Sequence, residues 1–426
     1  MAETKLKVGA AKVLLEIPDT FFPHEGFHGI HDPLFVRSLL LDNEESRVML
    51  VAVDLTSIGR ELSDELRRMI AGEYDLDPAG IFICASHTFQ APHIKPDQHG
   101  MSVEDAEKNR VLREVLFRAV KRSAGRSVEG LRPGRMGFGR GCCDVNINRD
   151  VWTKHGWWKG PNPHGISDKT VTVIRFETEV GRPIAFFVNY AVQSSVLLDS
   201  VPSDGRVMVS ADLGGAVSRY IEEQYDGEVV SVWNVGAAGD QDPVMMANRH
   251  HIDRRGEYFR NDIHDAGYAL LEILGEQLGQ EAVRVGEGIT RYDTVVPIKV
   301  REMTVSLPGQ KIFPNVHEMA PSKKYVYENA EPFEVPVSVL IINNLALIGV
   351  APELVCRTAL EIKARSPYRY TVVMTMVNGA AKYLPDTESY DRITYAAMNS
   401  RGGRGAAEVL REEIINLLNE TVLSSA

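Results

Sequence analysis

Ile81-Phe82-Ile83-Cys84-Ala85-Ser86-His87-Thr88-Phe89-Gln90-Ala91-Pro92-His93 is the stretch from which the rest of the chain can be read. Five apolar residues without alternation predict a short strand buried on both faces, and the polar turn after it opens at Ser86. Upstream, Val48–Asp54 (VMLVAVD) and Val36–Leu41 have the same character, and Leu62–Ile70 carries helical spacing. Strand, helix and strand in this order predict a β-α-β unit, and with it a sheet containing parallel pairs covered by helices. The expected fold class is α/β, with a mixed, partly parallel sheet.

Outward from this unit, Val103–Arg122 reads as an amphipathic helix, with Val111, Leu112, Val115, Leu116, Ala119 and Val120 on one stripe. Strands are expected at Arg135–Arg140, Thr170–Glu177 and Ile184–Ala191. Asp150–Asp168, rich in Trp, Gly, Pro and His, is expected to be a long functional loop. A helix capped by Asp212, a strand Glu228–Trp233 and a helix over Glu257–Gln280 follow. The last third reads as strands Thr290–Leu307 and Val337–Val350, a helix from Pro352, a strand Tyr370–Met376 and a helix Ala406–Leu418. Without repeats or linkers, residues 1–426 are expected to form one domain.

Of the 426 residues 44% are hydrophobic and 25% charged, enough for a sizeable core. Acidic residues outnumber basic ones 58 to 47, a net charge of −11 that repels nucleic acid and anionic membrane surfaces. A small-molecule substrate is the expected partner, and no feature sets an oligomeric state. Met1–Ala10 has no apolar run of the secretory type, so a cytoplasmic location is expected. The charge-free run Val335–Pro352 contains Ser338, Asn343, Asn344 and two prolines, which favours paired strands over a membrane span. Cys84, Cys142, Cys143 and Cys356 are too few and too scattered for a disulfide framework.

Polar segments directly follow the predicted strands, where an open α/β sheet places its ligand crevice. They are Ser86–His93, Asn189–Ser195, Asn234–Pro243, Ala351-Pro352-Glu353 and Asn378–Tyr383. In this order the segments resemble the N-terminal domain of the neutral/alkaline ceramidases. Ser86-His87-Thr88-Phe89-Gln90-Ala91-Pro92 is similar to that family's T-H-T-H-S-G-P turn, and Gly29-Ile30-His31 with the run to Arg37 to its G-I-H segment. Asn148-Arg149 resembles its N-R motif, Ser210–Gly215 its S-G-D-N-K-G, and Ala238–Pro243 its N-x-G-D-x-S-P. Ala351-Pro352-Glu353 resembles its P-G-E, and Asn378, Tyr383, Glu388 and Tyr390 its tyrosine-rich C-terminal run, with Thr387 one place late. The likeness spans about residues 5 to 415 and is that of a divergent, bacterial-type member without the extra C-terminal β domain of longer ones.

The resemblance implies a zinc ion held by two histidines, a glutamate and a tyrosine, with a serine attacking an amide. By position His87, Glu353 and Tyr383 match three ligands. The second ligand histidine is Gln193 here, the second histidine of T-H-T-H is Phe89, and the serine is Asp242. A carboxylate cannot repeat the serine's acyl transfer, but it can act as a base or bind metal.

Each residue also has an ordinary reading. His87 is either a loop histidine or a ligand, and Glu353 either a first-turn helix acid or a ligand. Tyr383 is either a satisfied buried tyrosine or a ligand. Asp240 and Asp242 either build a turn or supply base chemistry. Arg149 either pairs with an acid or clamps an anionic group. His93 either replaces the missing ligand or, as expected here, is an ordinary loop histidine, and His31 is either a surface-loop residue or, by the resemblance, site-lining. Trp152, Trp157 and Trp158 either pack the loop down or form an apolar wall or sugar-stacking platform, and the wall is the expectation carried forward.

The function expected is a metal-dependent hydrolase of a small, polar, amide- or glycan-like substrate. His87, Glu353 and Tyr383 would hold zinc, with Asp242, Asp240 and His31 catalytic and Arg149, Gln193, Asn378 and Trp157 shaping the pocket. Two alternatives stay open: a metal-assisted lyase or isomerase acting on a sugar or polyol, and a non-catalytic ligand-binding homologue.

Overall fold

The strand Ile81–Ala85 is the edge of an eight-stranded sheet in the computed structural model, which describes residues 5–96, 101–313 and 315–423. From the opposite edge the order is Val230–Val235, Pro183–Tyr190, Thr170–Thr178, Arg132–Cys142, Lys7–Leu14, Phe35–Asp42, Arg47–Val53 and Ile81–Ala85. The two edge pairs are parallel, Arg47–Val53 with Ile81–Ala85 and Pro183–Tyr190 with Val230–Val235, and the pairs between them are antiparallel. A four-stranded sheet follows the order Ile298–Gln310, Asn329–Ile342, Leu345–Val350 and Tyr370–Met374, with its last pair parallel.

The unbroken apolar runs are explained by burial on both faces. Ile81, Ile83 and Ala85 pack with Leu66 and Ile70 of the helix Arg60–Tyr74 and with Leu112, Val115 and Leu116 of the helix Val103–Glu129. Phe82 and Cys84 point the other way, into a core shared with Leu340, Ile342, Leu347, Val372 and Met374 of the second sheet. The two sheets therefore lie face to face. The helices Asp212–Glu223 and Ala266–Glu287 cover the rest of the first sheet, and Cys356–Arg365 and Ala406–Leu423 cover the second. The architecture is mixed α/β, as the sequence predicts.

Backbone hydrogen bonds tie the two sheets together where their parallel strands end. Ala85 N donates to Met376 O at 3.2 Å, Asn378 N to Ile83 O at 2.8 Å and Thr375 N to Val235 O at 2.9 Å. The segments leaving these strands are thereby gathered at one crevice. Among the described residues no helix is long and apolar enough to cross a membrane, and Val335–Pro352 is mostly an antiparallel strand pair turning at Asn343-Asn344.

Several local expectations are corrected. Asp150–Asp168 is largely a β-hairpin, Asn146–Thr153 with Gly156–Asn162, with Trp152 opposite Trp157. The helix expected from Glu257 begins at Ala266, because Tyr258–Asp262 pairs with Asn248–Ile252. Asp212 is inside its helix, at φ 49°, and its carboxylate accepts from Val196 N and Leu197 N instead of capping. The helix expected from Pro352 begins at Cys356, leaving Glu353–Leu354 as a two-residue strand parallel to Tyr383–Leu384. Glu353 is thus not a first-turn helix acid.

Candidate functional site

His87 follows its strand by two residues and is held at φ 63° by Ser86 N to Val53 O (2.8 Å) and His87 N to Leu55 O (3.0 Å). Met376 and Lys382, at φ 58° and 59°, are also left-handed and line the same cavity. A non-glycine residue in this region costs roughly 1–2 kcal/mol. Three together mark a crevice whose shape is held by its surroundings.

The His87 ring is buried, and its Nδ1 lies 2.7 Å from Thr56 O. A carbonyl only accepts, so Nδ1 carries the proton and Nε2 of the neutral ring presents a lone pair. That Nε2 lies 3.0 Å from Glu353 Oε2, yet it makes no hydrogen bond of good geometry. Glu353 Oε2 accepts from Gln193 Nε2 at 2.7 Å, and the same amide nitrogen is 3.4 Å from Tyr383 OH. His87, Glu353, Tyr383 and Gln193, from four separate strand ends, are brought together.

Arg149, on the hairpin strand Asn146–Thr153, closes the back of this group. Its Nη1 donates to Gln193 Oε1 at 2.8 Å and to Asp242 Oδ1 at 3.1 Å, and its Nη2 donates to Gly239 O at 2.7 Å. The guanidinium stacks over Tyr383 and Tyr395, 5.0 and 5.6 Å from the ring centroids. Burial works to lower the His87 pKa, but the facing Glu353 carboxylate and Thr56 O prevail, and it lies above the ordinary value. Burial works to raise that of Glu353, and His87, Arg149 and Gln193 outweigh it, so it is lowered. Burial pushes the Tyr383 phenol up against the opposing pull of Arg149.

A cavity of about 500 Å³ opens onto His87, Glu353 and Tyr383. Phe89, Ile312, Val316, Met376 and Tyr395 form its apolar wall, with Thr56, Ser57 and Asn399 as further polar groups and Lys382 and Arg401 among its lining. Asp242 lines a separate, smaller pocket on the far side of Arg149, together with Gly160 and His250.

The other predicted site residues are placed elsewhere. His31 is exposed and stacks on Tyr268, with centroids 3.9 Å apart, and does not line the cavity. Asn378 spends its amide inside the fold, accepting from Ile83 N and donating to Ile81 O and Ser338 Oγ. Asp240 accepts from Cys356 N at 2.8 Å and Asn148 Nδ2 at 3.0 Å, and its pKa is pushed up to about 6, mainly by burial. Trp157 lies edge-on to Trp152 and under Arg392. Strand alternation sends its neighbour Trp158 inward instead, against Tyr395 and Tyr258. None of the three tryptophans lines the cavity; Trp158 only backs Tyr395, which does. His93, by contrast, lines the mouth of the cavity, half exposed and paired with Glu25 at 3.0 Å. Sequence reasoning missed Thr56, Lys159 and Tyr395. The only signal was that Lys159 falls within the tryptophan-rich stretch.

Two acceptors facing each other at 3.0 Å require positive charge between them, either a proton on Nε2 or a metal ion. Adjacent ligands on a tetrahedral zinc, each about 2.0 Å from it, lie about 3.3 Å apart, so the spacing suits an ion. Among the described residues no three His, Cys, Asp or Glu side chains form a metal-binding group. The donor set reaches three only by including Tyr383, and a three-ligand set with an open position fits a catalytic ion. The hydrogen bond from Nδ1 to a backbone carbonyl is the outer contact that orients such a histidine.

The fold is that of known ceramidases. The neutral ceramidase from Pseudomonas aeruginosa superposes with a TM-score of 0.76 at 14% identity, covering 97% of this chain and 74% of that one. A structure described as ceramidase complexed with C2 superposes with a TM-score of 0.74, also at 14% identity, covering 97% and 75%. No family model matches the sequence, and no curated protein matches it.

Proposed function

We propose that this chain is a metal-dependent hydrolase of a small, polar, amide-like substrate, a relative of the neutral ceramidases with an altered site. One observation carries the reading: His87 Nε2, fully buried and without a hydrogen bond, lies 3.0 Å from Glu353 Oε2 beside a substrate-sized cavity. His87, Glu353 and Tyr383 would hold the ion. When bound, it would polarise a carbonyl and acidify a water.

The chain's own groups do the rest. Thr56 O fixes the His87 tautomer, and Gln193 fixes Glu353 by donating to Oε2. Arg149 holds one oxygen of Asp242, the carboxylate proposed for the base role at the position the resemblance gives to the serine, from the small pocket beside the cavity. The apolar wall of Phe89, Ile312 and Met376 excludes water from the bound substrate.

The test is amine release from short N-acyl amino compounds. Turnover is expected, with His87→Ala and Glu353→Gln each lowering kcat/KM at least about a hundredfold. Turnover unaffected by both substitutions would contradict the reading.

A second reading is favoured by the Gln193 amide, which donates to Glu353 where the resemblance expects a ligand histidine. A proton on His87 then closes the pair without metal, leaving acid–base chemistry of the lyase or isomerase kind, or binding alone. Dehydration of a sugar acid without amine release would select it.

A further inference from the structure

Asn399-Ser400-Arg401 and Lys382 have no part in the scheme above, yet they edge the same cavity. Ser400 Oγ donates to Tyr383 O at 2.9 Å, and Ser400 pairs with Lys382 and with Tyr383 in single backbone bridges. The segment is thereby fastened beside Tyr383, with Asn399 and Arg401 on either side of the fastening. Asn399, Arg401 and Lys382 all line the cavity.

The free charges along this edge have one sign. Lys382 and Arg401 are exposed, and among the described residues neither is in an ion pair; the Arg401 guanidinium rests over the Phe333 ring, 5.0 Å from its centroid. His93, the third basic group of the mouth, is already paired with Glu25 at 3.0 Å. The one carboxylate that lines the cavity is Glu353, which is buried and engaged by His87 at 3.0 Å and Gln193 at 2.7 Å. A single exposed cation would be an ordinary solvated charge. Two on bridged segments at the mouth of one cavity, in a chain whose overall charge is −11, make a local positive field that draws anions.

Asn399 adds an independent sign. It is 4% exposed, its Nδ2 donates to Tyr395 OH at 3.3 Å, and its Oδ1 has no hydrogen-bond partner. A buried amide oxygen without a donor is costly, and an N–H that arrives with a ligand would satisfy it.

We infer that the ligand of this cavity is an N-acyl amino acid. Its carboxylate meets Lys382 and Arg401, its amide N–H meets Asn399, and its acyl chain lies on the apolar wall of Phe89, Ile312 and Met376. The inference names the substrate class of the hydrolase proposed above and rests on that reading only for cleavage of the amide.

N-(hexylsulfonyl)glycine keeps the carboxylate, the N–H and the chain but resists hydrolysis. Calorimetric titration of the full chain compares it with its neutral primary amide and with its N-methyl analogue. The acid is expected to bind at least about tenfold more tightly than either, and its margin over the neutral amide should shrink as salt is raised. Lys382→Met combined with Arg401→Met should erase that margin, and Asn399→Ala should erase the penalty of N-methylation. If Asn399→Ala does not fold, the penalty in the wild-type chain decides. Equal affinity for acid and neutral amide, a margin that survives the double substitution, an N-methyl analogue bound as tightly as the acid, or no binding of any of the three would overturn the proposal. Amine release from N-hexanoylglycine and N-hexanoylglycinamide is followed separately. Acid preference without release leaves the ligand class and removes the enzyme, and equally fast release from both compounds does the reverse.

Discussion

Arg37 and Arg149 are buried to the same degree, each 3% exposed, and they are held in opposite ways. Arg37 donates from Nε to Glu222 at 2.8 Å and from Nη1 to Asp54 at 3.0 Å, and Lys12 completes the group by pairing with Glu222 at 2.6 Å. Two cations meet two carboxylates, and nothing is left over. Arg149 has one carboxylate, Asp242, and otherwise neutral acceptors and aromatic faces, and its Nε has no partner. The first cluster is closed by its own ion pairs, while the second keeps a buried guanidinium nitrogen without a partner beside the cavity.

The comparison breaks or holds on stability measurements. Arg37→Met leaves Asp54 and Glu222 buried without their cation and should cost about 3–5 kcal/mol, read as a lower urea midpoint. Arg149→Met strands only Asp242 and should cost about 1–3 kcal/mol while abolishing ligand binding. Equal costs would erase the distinction.

A pH experiment sharpens it on the reverse side of Arg149. Asp150 is buried, and its pKa is pushed from 3.8 up to about 7, by burial first and the neighbouring Asp240 second. A folded pKa above the unfolded one means stability that is full below the unfolded value and lost as pH rises through the folded value. Asp150→Asn removes this loss: it should stabilise the chain by about 1–3 kcal/mol at about pH 8 and change little at about pH 4. Thermal unfolding at the two pH values checks it, and a pH-independent difference would contradict it.

The smallest effect belongs to His93. As a half-exposed partner of Glu25 it should contribute no more than about 0.5 kcal/mol, so His93→Ala should leave the urea midpoint nearly unchanged. A large change there would give the cavity mouth a structural role that its exposure argues against.

The parts of the fold legible in the sequence are those where one physical rule acts alone. Ile81–Ala85 and Val48–Val53 read as strands because burial on both faces leaves an unbroken apolar run. The hairpin at Trp152 and Trp157 was hidden because its aromatic and charged residues alternate only once the turn at Lys154–His155 is known. Glu353 was misplaced into a helix because Ala-Pro before an acid is also a helix start, and only its pairing with Tyr383 decides otherwise. The meeting of His87, Glu353 and Tyr383 was suggested by the family resemblance alone, since nothing local in the sequence joins residues so far apart. Asn378 and His31 were matched by motif but placed by packing, one inside the sheet and one on the surface. Lys159 carried no signal beyond its place in the tryptophan-rich stretch, because the partners of a charge are a property of three-dimensional surroundings.

The proposed hydrolase requires that the charge joining His87 to Glu353 be a metal ion. The direct measurement is the metal content of the purified chain by mass spectrometry, with and without His87→Ala. The account predicts about one zinc per chain, lost in the variant while the fold is kept. A metal-free chain that takes up no zinc, with both ring nitrogens of His87 protonated by nitrogen-15 NMR, would contradict it and leave a proton in the ion's place.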